Sequence, residues 1–343
     1  MPYVLLERFI MSSFKEMLKK IYPSPASSFN REIGNLKKRI KSLEDSNRDL
    51  EKRIEHLMYN QLDPALYPHA IKQWYQDVTG NVLDLSSPRT YNEKIQWLKA
   101  YDHDPRKTLL ADKYLVRDWV RDKIGEEYLI PLLGVYRNAN EIDFDSLPDK
   151  FVLKGNHGSS MNYIVTNKKK ENFEEIRNIA NGWLRQNYAF SFGYEMHYND
   201  IPRRLIAEQY IGSEGVDLPD YKFWCFGGKC RFIGVHKYRY TDPHMVMFSP
   251  EWEKLPFSTG ASAPLEEDVE RPSVLPEMLR IAEKLSEGFA HVRVDLYLLN
   301  DHDIKFGEMT FTPSSGVCRW TPPEADLMVG EMLELPDKTN VKD

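Results

Sequence analysis

The hydrophobic positions divide the chain into three regimes. Between residues 31 and 58, Ile33, Leu36, Ile40, Leu43, Asn47, Leu50, Ile54 and Leu57 recur in steps of three and four, the spacing of a heptad seam along one helix. Ile33, Ile40, Asn47 and Ile54 take position a, and Leu36, Leu43, Leu50 and Leu57 take position d. β-branched residues at a with Leu at d favour two parallel strands, and a single Asn at a fixes their register. Arg39 at g would face Glu44 at e of a second copy. The pattern therefore predicts a parallel homodimeric coiled coil over 31–60, against the simpler alternative of one amphipathic helix packed on its own domain. Upstream, Met1–Ile21 reads as an amphipathic helix carrying Lys15, Lys19 and Lys20, and Pro23–Ser28 breaks it from the coil. Such a helix suits packing against protein or peripheral contact with a membrane surface.

From 62 to 130 the pattern is helical, interrupted at Pro64, Pro68, Ser86–Pro88 and Pro105. Thr90 and Glu93 have capping-box spacing ahead of Ile95, Trp97 and Leu98. Leu109–Val120 predicts a further amphipathic helix containing Asp112, Lys113 and Arg117. Beyond Pro131 short β-rich runs take over: Phe151–Lys154, Tyr163–Val165, Leu205–Tyr210, Tyr221–Phe226, Cys230–Tyr238, His291–Leu298 and Ile304–Met309. Helical stretches lie between them at Phe173–Asn187 and Pro276–Phe289. Adjacent hairpins mixed with two helices indicate an α+β fold rather than a doubly wound sheet. The expected organisation is an N-terminal helix and linker (1–30), the coil (31–60), a helical lead-in (61–148) and an α+β domain (149–343).

Composition narrows the function classes. The 343 residues are 41% hydrophobic and 29% charged, which is globular composition. A net charge of −6 argues against general nucleic-acid binding, which needs a basic field. No run reaches the roughly 18 apolar residues that span a bilayer, and the opening residues lack the basic leader and cleavage site of a signal peptide. Cys225, Cys230 and Cys318 are too few for a disulfide framework and are not spaced for zinc, so buried free thiols and a cytoplasmic location are expected.

Three stretches carry candidate chemistry. In the first, an apolar strand ends at Lys154 and enters Gly155-Asn-His157-Gly158-Ser159-Ser160. Glycines let backbone N–H groups approach an anion, hydroxyls add donors, and the lysine adds charge, so the loop can cradle a phosphate. It is not a P-loop, because the lysine precedes the glycines; a plain hairpin turn is the competing reading. The second, Leu205-Ile-Ala-Glu208-Gln209-Tyr210-Ile211-Gly212, is a strand that turns polar and ends at glycine. The third places Arg293, Asp295 and Tyr297 on one face of an alternating strand and Glu308 and Thr310 on one face of the next. An antiparallel pair would bring Asp295 and Glu308 together. Two buried carboxylates repel unless neutralised, and a hard divalent cation such as Mg²⁺ does this with one or two carboxylates and nucleotide phosphates. The alternative is a salt bridge to Arg293 that leaves one acid unpaired.

The order Lys154–Gly155…Gly158-Ser159-Ser160, then Glu208…Ile211, then Arg293-x-Asp295, then Glu308-x-Thr310 resembles the ATP-grasp superfamily. Tyr91-Asn-Glu-Lys-Ile-Gln-Trp-Leu98, Ala111-Asp-Lys-Tyr114, Asp220-Tyr-Lys-Phe223 and Phe306-Gly-Glu-Met-Thr-Phe-Thr-Pro313 resemble, more closely, ATP-grasp proteins of the teichuronopeptide-biosynthesis type found in surface-polysaccharide gene clusters. The resemblance covers about residues 62–336. It implies two α+β subdomains sandwiching ATP, a nucleotide lid over 149–212 and a metal and substrate subdomain over 213–343. It implies further that Lys154, Lys113 and the loop Gly155–Ser160 contact the phosphates, and that Glu208, Gln209, Tyr210 and Ile211 form the adenine hinge; His157, within that loop, either touches the γ-phosphate or caps a turn. Asp220 would hold the ribose, Lys222, Lys237 and Arg293 the transferring groups, and Asp295, Glu308 and Thr310 the Mg²⁺. Thr310 stands where many such enzymes have Asn. The implied reaction joins a carboxylate, on a uronic acid or amino acid, to an amine through an acyl phosphate. The rival readings are an ATP-dependent kinase acting on a sugar hydroxyl and a non-catalytic dimeric scaffold.

Overall fold

The computed structural model describes residues 31–46, 64–212, 218–237, 244–260, 263–264 and 269–338. Residues 1–60 and 61–343 separate as two compact units. In the first, residues 31–46 form a helix on which Leu36, Ile40 and Leu43 are 55–63% exposed. The expectations for the Met1–Ile21 helix, the Pro23–Ser28 break and the seam positions Asn47, Leu50, Ile54 and Leu57 lie outside the described residues. No helix among the described residues is long and apolar enough to cross a membrane.

The second unit is built on two main antiparallel sheets. The smaller contains β1 (Leu132–Tyr136), β2 (Phe151–Gly155), β3 (Asn162–Val165) and β4 (Leu205–Gln209) in the order β1-β4-β2-β3. β1 escapes the pattern reading because Leu132-Leu-Gly-Val-Tyr136 carries apolar residues on both faces around a glycine. As an edge strand it leaves Leu133 and Val135 part-exposed, and its pairing with β4 is irregular between Leu132 and Gly134. On β2 the burial alternates: Phe151 and Leu153 are buried, and Val152 and Lys154 face the other way. The larger sheet runs β11-β10-β5-β6-β7-β9, from β5 (Asp220–Phe226), β6 (Lys229–Lys237), β7 (His244–Phe248), β9 (Ala263–Pro264), β10 (His291–Leu299) and β11 (Asp303–Thr310), and only β7 with β9 is parallel. Two short strands, β8 (Ser258–Thr259) and β12 (Trp320–Thr321), pair with each other.

Seven helices are described in this unit: α1 (Tyr67–Thr79), α2 (Tyr91–Tyr101), α3 (Arg106–Ala111), α4 (Val116–Lys123), α5 (Phe173–Arg185), α6 (Leu275–Ser286) and α7 (Ala325–Met332). Asn172 caps α5 by accepting from the Glu174 and Glu175 amides, and Ile176, Ala180 and Trp183 form the stripe that buries Phe151 and Leu153. Leu275, Met278, Ile281, Ala282 and Leu285 of α6 bury the apolar face of the larger sheet, including Phe223, Val292 and Val294. The single helix expected over Leu109–Val120 is instead two. Asp112 accepts hydrogen bonds from the Tyr114 and Leu115 amides, ending α3 and turning the chain before α4. That break sets Lys113 in a turn.

Nor is the helical lead-in a separate layer: β1 belongs to the smaller sheet, and α2 packs against α7 and the turn Pro313–Gly316. The capping box exists as expected, with the Glu93 amide donating to Thr90 Oγ1 and the Thr90 amide to Glu93 Oε2. The polar residues of α2 point inward. Asn92 pairs with the backbone of Cys318 and with Asp326, while Gln96 Nε2 donates to the carbonyls of Ser315 and Gly316. Lys94 Nζ donates to the carbonyls of Gly330 and Leu333, a cation at the C-terminal end of α7.

α7 approaches α2 closely at Gly330, where an added Cβ would lie 2.3 Å from the Arg89 carbonyl oxygen and 2.7 Å from the Tyr91 nitrogen. Both obstacles are backbone and cannot rotate away. Gly330→Ala should therefore destabilise the unit by about 1–3 kcal/mol, read as a lower urea midpoint with an unchanged m-value.

Candidate functional site

Strand alternation assembles one wall of a cleft. Val152 and Lys154 on β2 pair with Ile164 and Asn162 on β3, and Val152 also pairs with Glu208 on β4. Together with Ile130, Gln209–Gly212, Leu218, Asp220 and Tyr297 these residues line a cavity of about 320 Å³. Its walls are apolar where Ile130, Val152 and Ile164 meet, and its ends are polar: a slot suited to a flat heteroaromatic ring. The Gln209 amide donates to the Pro131 carbonyl at 3.0 Å. That bond occupies the Gln209 N–H; Tyr210 and Ile211 follow it along the rim of the cavity. Glu208 is buried, and its two oxygens hold Lys154 Nζ at 2.6 Å and Arg117 Nη1 at 3.3 Å. Glu208 thus positions two cations instead of facing a base. Arg117, on the buried side of α4, carried no signal of its own in the sequence.

The loop after β2 closes through the Gly155 amide on the Met161 carbonyl. Ser159 and Ser160 are exposed at its tip, and Ser160 has φ of 59°. Gly158 is required by a neighbour: a Cβ there would lie 2.6 Å from the Tyr188 ring. Asn156, wholly buried, anchors the loop by donating to the Pro202 carbonyl and accepting from the Arg204 amide. His157 does not face the cleft. It is 1% exposed, with Nδ1 paired to Asn156 Oδ1 and Nε2 to the Trp183 carbonyl, so of its two readings the structural one holds and the phosphate contact is corrected to a tie between loop and α5. Burial is the main cause that lowers its pKa to about 4. Lys113 Nζ donates to the Gly158 carbonyl at 2.5 Å and lies 4.0 Å from Glu308 Oε2.

Across the larger sheet the register sets charges in a row. Asp295 on β10 is the direct partner of Glu308 on β11 and of Lys222 on β5, and Arg293 is the partner of Thr310. A bulge at Gly307 follows, where a Cβ would sit 3.0 Å from the Asp295 carbonyl. Arg293 grips Asp295 with Nε and Nη2, both at 2.6 Å, and Nη2 also reaches Glu308 Oε1 at 3.2 Å and Thr310 Oγ1 at 3.1 Å. Lys222 Nζ donates to Asp295 Oδ2 at 2.8 Å and to Asp220 Oδ2 at 2.5 Å. Burial pushes the Asp295 carboxyl up, but the Arg293 and Lys222 charges outweigh it and hold it at about 2. Glu308 is lowered too: burial opposes, and Lys113, Arg293 and Lys222 prevail over Asp295.

This network changes the argument for a metal. The sequence left a divalent cation or one salt bridge with an orphaned acid; in the structure Arg293 spans both acids and Lys222 adds a second cation. No group of three or more His, Cys, Asp or Glu among the described residues is arranged to hold a metal. The donors remain hard, ionised oxygens, of the kind Mg²⁺ takes alongside nucleotide phosphates. Glu308 fits best: its side chain is 37% exposed, and its Oε2 meets Lys113 only at 4.0 Å. Asp295 could join it only by exchanging a cation. His236 is the register partner of Asp220 and Gly234 of Lys222, and Lys237 ends β6 opposite His244; the side chain of Lys237 lies outside the described residues.

A family model described as TupA-like ATP-grasp matches residues 93–334. Among solved structures the chain is similar to an ADP complex of N5-carboxyaminoimidazole ribonucleotide synthetase, at 12% identity and TM-score 0.38 over 64% of this chain and 50% of that one. It is similar to D-alanine–D-alanine ligase from Bacillus anthracis complexed with ATP, at 14% identity and TM-score 0.35 over 59% and 55%. It is also similar to L-amino acid ligase from Bacillus licheniformis, at 16% identity and TM-score 0.40 over 73% and 56%. The chain spans about half the length of the solved structures it matches. No curated protein matches it.

The buried neutral His157 gives a signed pH dependence. The unfolded chain takes up its proton near 6.5, the folded loop only near 4, so the histidine's contribution to stability is lost as pH falls between these values. The loss reaches about 3 kcal/mol at pH 4. Buried His197 and His291, lowered to about 3, add slopes of the same sign, so unfolding free energies measured from pH 7 to 4 should fall steeply and His157→Asn should make that fall shallower by this one histidine's share.

Proposed function

We propose that this chain, which belongs to the TupA-like ATP-grasp family, is an ATP-dependent carboxylate–amine ligase acting on a uronic acid or amino acid in surface-polysaccharide biosynthesis. The observation that carries the reading is the facing of two cation sets: Lys113 and Lys154 beside the glycine–serine loop, and the Arg293–Asp295–Glu308–Lys222 network on the opposite sheet. The 320 Å³ slot lies beside them. In this reading the base lies against Val152 and Ile164, with the backbone of Tyr210 and Ile211 at its edge and Asp220 near the ribose. Lys113, Lys154 and the loop Gly155–Ser160 hold the phosphates.

The acceptor carboxylate oxygen forms a bond to the γ-phosphorus as the bond to the β-phosphate oxygen breaks, and ADP leaves. The amine nitrogen then attacks the acyl-phosphate carbonyl, the carbon–oxygen bond to phosphate breaks, and the nitrogen's proton passes to the departing phosphate or to water. Side-chain charge does most of the work, since phosphoryl transfer needs positioning and electrostatic stabilisation more than covalent chemistry. Arg293 and Lys222 are the cations on the larger sheet for the transferring group. Mg²⁺, held by Glu308 with Asp295 and Thr310 beside it, would add charge neutralisation when bound. In this reading the exposed Ser159–Ser160 tip closes over the phosphates and excludes water, which would otherwise hydrolyse the acyl phosphate.

Incubation with ATP, Mg²⁺, a panel of uronic acids and amino acids, and hydroxylamine should release ADP and trap a hydroxamate. ADP release with a phosphorylated hydroxyl and no hydroxamate would make the enzyme a kinase instead. Glu308→Gln should lower turnover about 10²–10³-fold, whereas turnover at the parental rate would remove Glu308 from the mechanism.

We further propose that the helix beginning at residue 31 pairs in parallel with a second copy, because Leu36, Ile40 and Leu43 are exposed along one seam. Sedimentation of the full chain should give a dimer, and the double variant Leu36→Lys/Leu43→Lys should sediment as a monomer with its thermal unfolding of residues 61–343 unchanged.

A further inference from the structure

Between α5 and β4 the chain forms a strap, residues 187–199, that meets the glycine–serine loop on one side and the end of β11 on the other. Asn187 closes its base by donating from Nδ2 to Asn199 Oδ1 at 2.8 Å, and the strap folds back on itself where the Glu195 amide donates to the Ala189 carbonyl at 2.9 Å. Three contacts with distant elements pin it. Ser315 Oγ donates to the Phe192 carbonyl at 2.9 Å, the Phe192 ring meets Trp74 of α1 edge-on at 5.1 Å, and Thr312 Oγ1 donates to the buried Glu195 carboxylate. Gly193 lies where these contacts meet, at φ of 79°, and a Cβ there would be 2.6 Å from the Trp74 ring. A segment tied at this many points opens less readily than an exposed loop tip.

Tyr188 carries this fixed strap to the loop. Its ring packs on Gly158, where a Cβ would lie 2.6 Å away, and stands edge-on to Tyr198 at 4.9 Å. Burial pushes its hydroxyl up to about 12 and Glu195 adds to the rise, while hydrogen bonding by the Ser159 side chain and amide opposes it; the charge of Glu308 also acts on it. The hydroxyl thus stands between the loop tip and the charge row. Lys113 grips the same loop from elsewhere, its Nζ donating to the Gly158 carbonyl. An anion affects the two grips differently. Phosphate oxygens draw an ammonium away from a neutral carbonyl, because a charged acceptor makes the stronger bond. A neutral phenol bonded to a serine is not released in this way.

We propose that Tyr188 is the positioning residue of the lid: once nucleotide phosphates take up Lys113, the Tyr188 hydroxyl holds Ser159 and keeps the loop tip over them. The strap then ties the closed loop to Thr312, two residues beyond Thr310, so that the lid and the end of the charge row keep one spacing. The inference rests on the ligase reading and adds to it a residue that touches the loop and not the reacting atoms.

The test is calorimetric titration of the full chain with ATP and Mg²⁺, and with AMP as a competitor, which keeps the base and ribose but lacks the β- and γ-phosphates. Tyr188→Phe keeps the ring against Gly158 and removes only the hydroxyl, and Ser159→Ala removes the serine side chain. Each should weaken ATP about three- to tenfold and leave AMP unchanged. The double variant should bind ATP no more weakly than Tyr188→Phe alone, because both changes remove one contact. Unchanged ATP affinity in Tyr188→Phe overturns the inference and leaves the ligase reading standing. Equal weakening of ATP and AMP would make the tyrosine a packing residue and also overturns it, as does a double variant in which the two losses add. A parental chain that binds no ATP overturns the inference and the ligase reading together.

Discussion

The arrangement depends on one buried charge cluster. Arg293 lies between Asp295, Glu308 and Thr310, and Lys222 lies between Asp295 and Asp220. Five charged strand residues within hydrogen-bonding distance, contributed by three adjacent strands, must all keep their charge. Breaking such a network by removing one partner leaves an uncompensated buried charge, which costs several kcal/mol. The cluster therefore ties β5, β10 and β11 into one register. It also holds both carboxylates ionised at neutral pH, the state in which they can meet a cation.

The cluster is useful only because the opposite wall is equally constrained. Glu208 draws Lys154 from β2 and Arg117 from α4 to one point, while Asn156 ties the intervening loop to residues 202–204 and accepts, through its carbonyl, the Lys113 amide. Lys113 reaches the Gly158 carbonyl because Asp112 breaks the helix before it. Positive charge thus converges from three separate elements on one end of the cleft, around Glu208. Like charges gathered this way raise the energy of the empty cleft and lower it when an anion enters.

Helix α2 supports the far end of the same architecture. Its inward polar residues hold the carbonyls of Ser315, Gly316 and Cys318, fixing the chain that leaves β11. Ser314 and Ser315 have φ near 50°, a conformation unfavourable for non-glycine residues that these bonds help to maintain. A motif that reads in sequence as an amphipathic helix is therefore a clamp, and its apolar Ile95 and Leu98 are only half of what it buries.

What the sequence by itself determined was local: the alternation that puts Asp295 opposite Glu308, the capping box at Thr90, the glycine–serine loop after Lys154, and the helix beginning at residue 31. Each follows from a period of two, of 3.6 or of a heptad, and each survives in the structure because its partners are near in sequence or on adjacent strands. Tertiary structure alone decided how the charges pair. That Arg293 bridges both acids, that Glu208 holds Lys154 and Arg117, that His157 turns inward, and that β1 leaves the helical lead-in to join a sheet all depend on elements far apart in the chain. Composition does not distinguish a buried ion pair from a metal ligand, because the same carboxylate serves either, and only the positions of its neighbours settle which cation it meets.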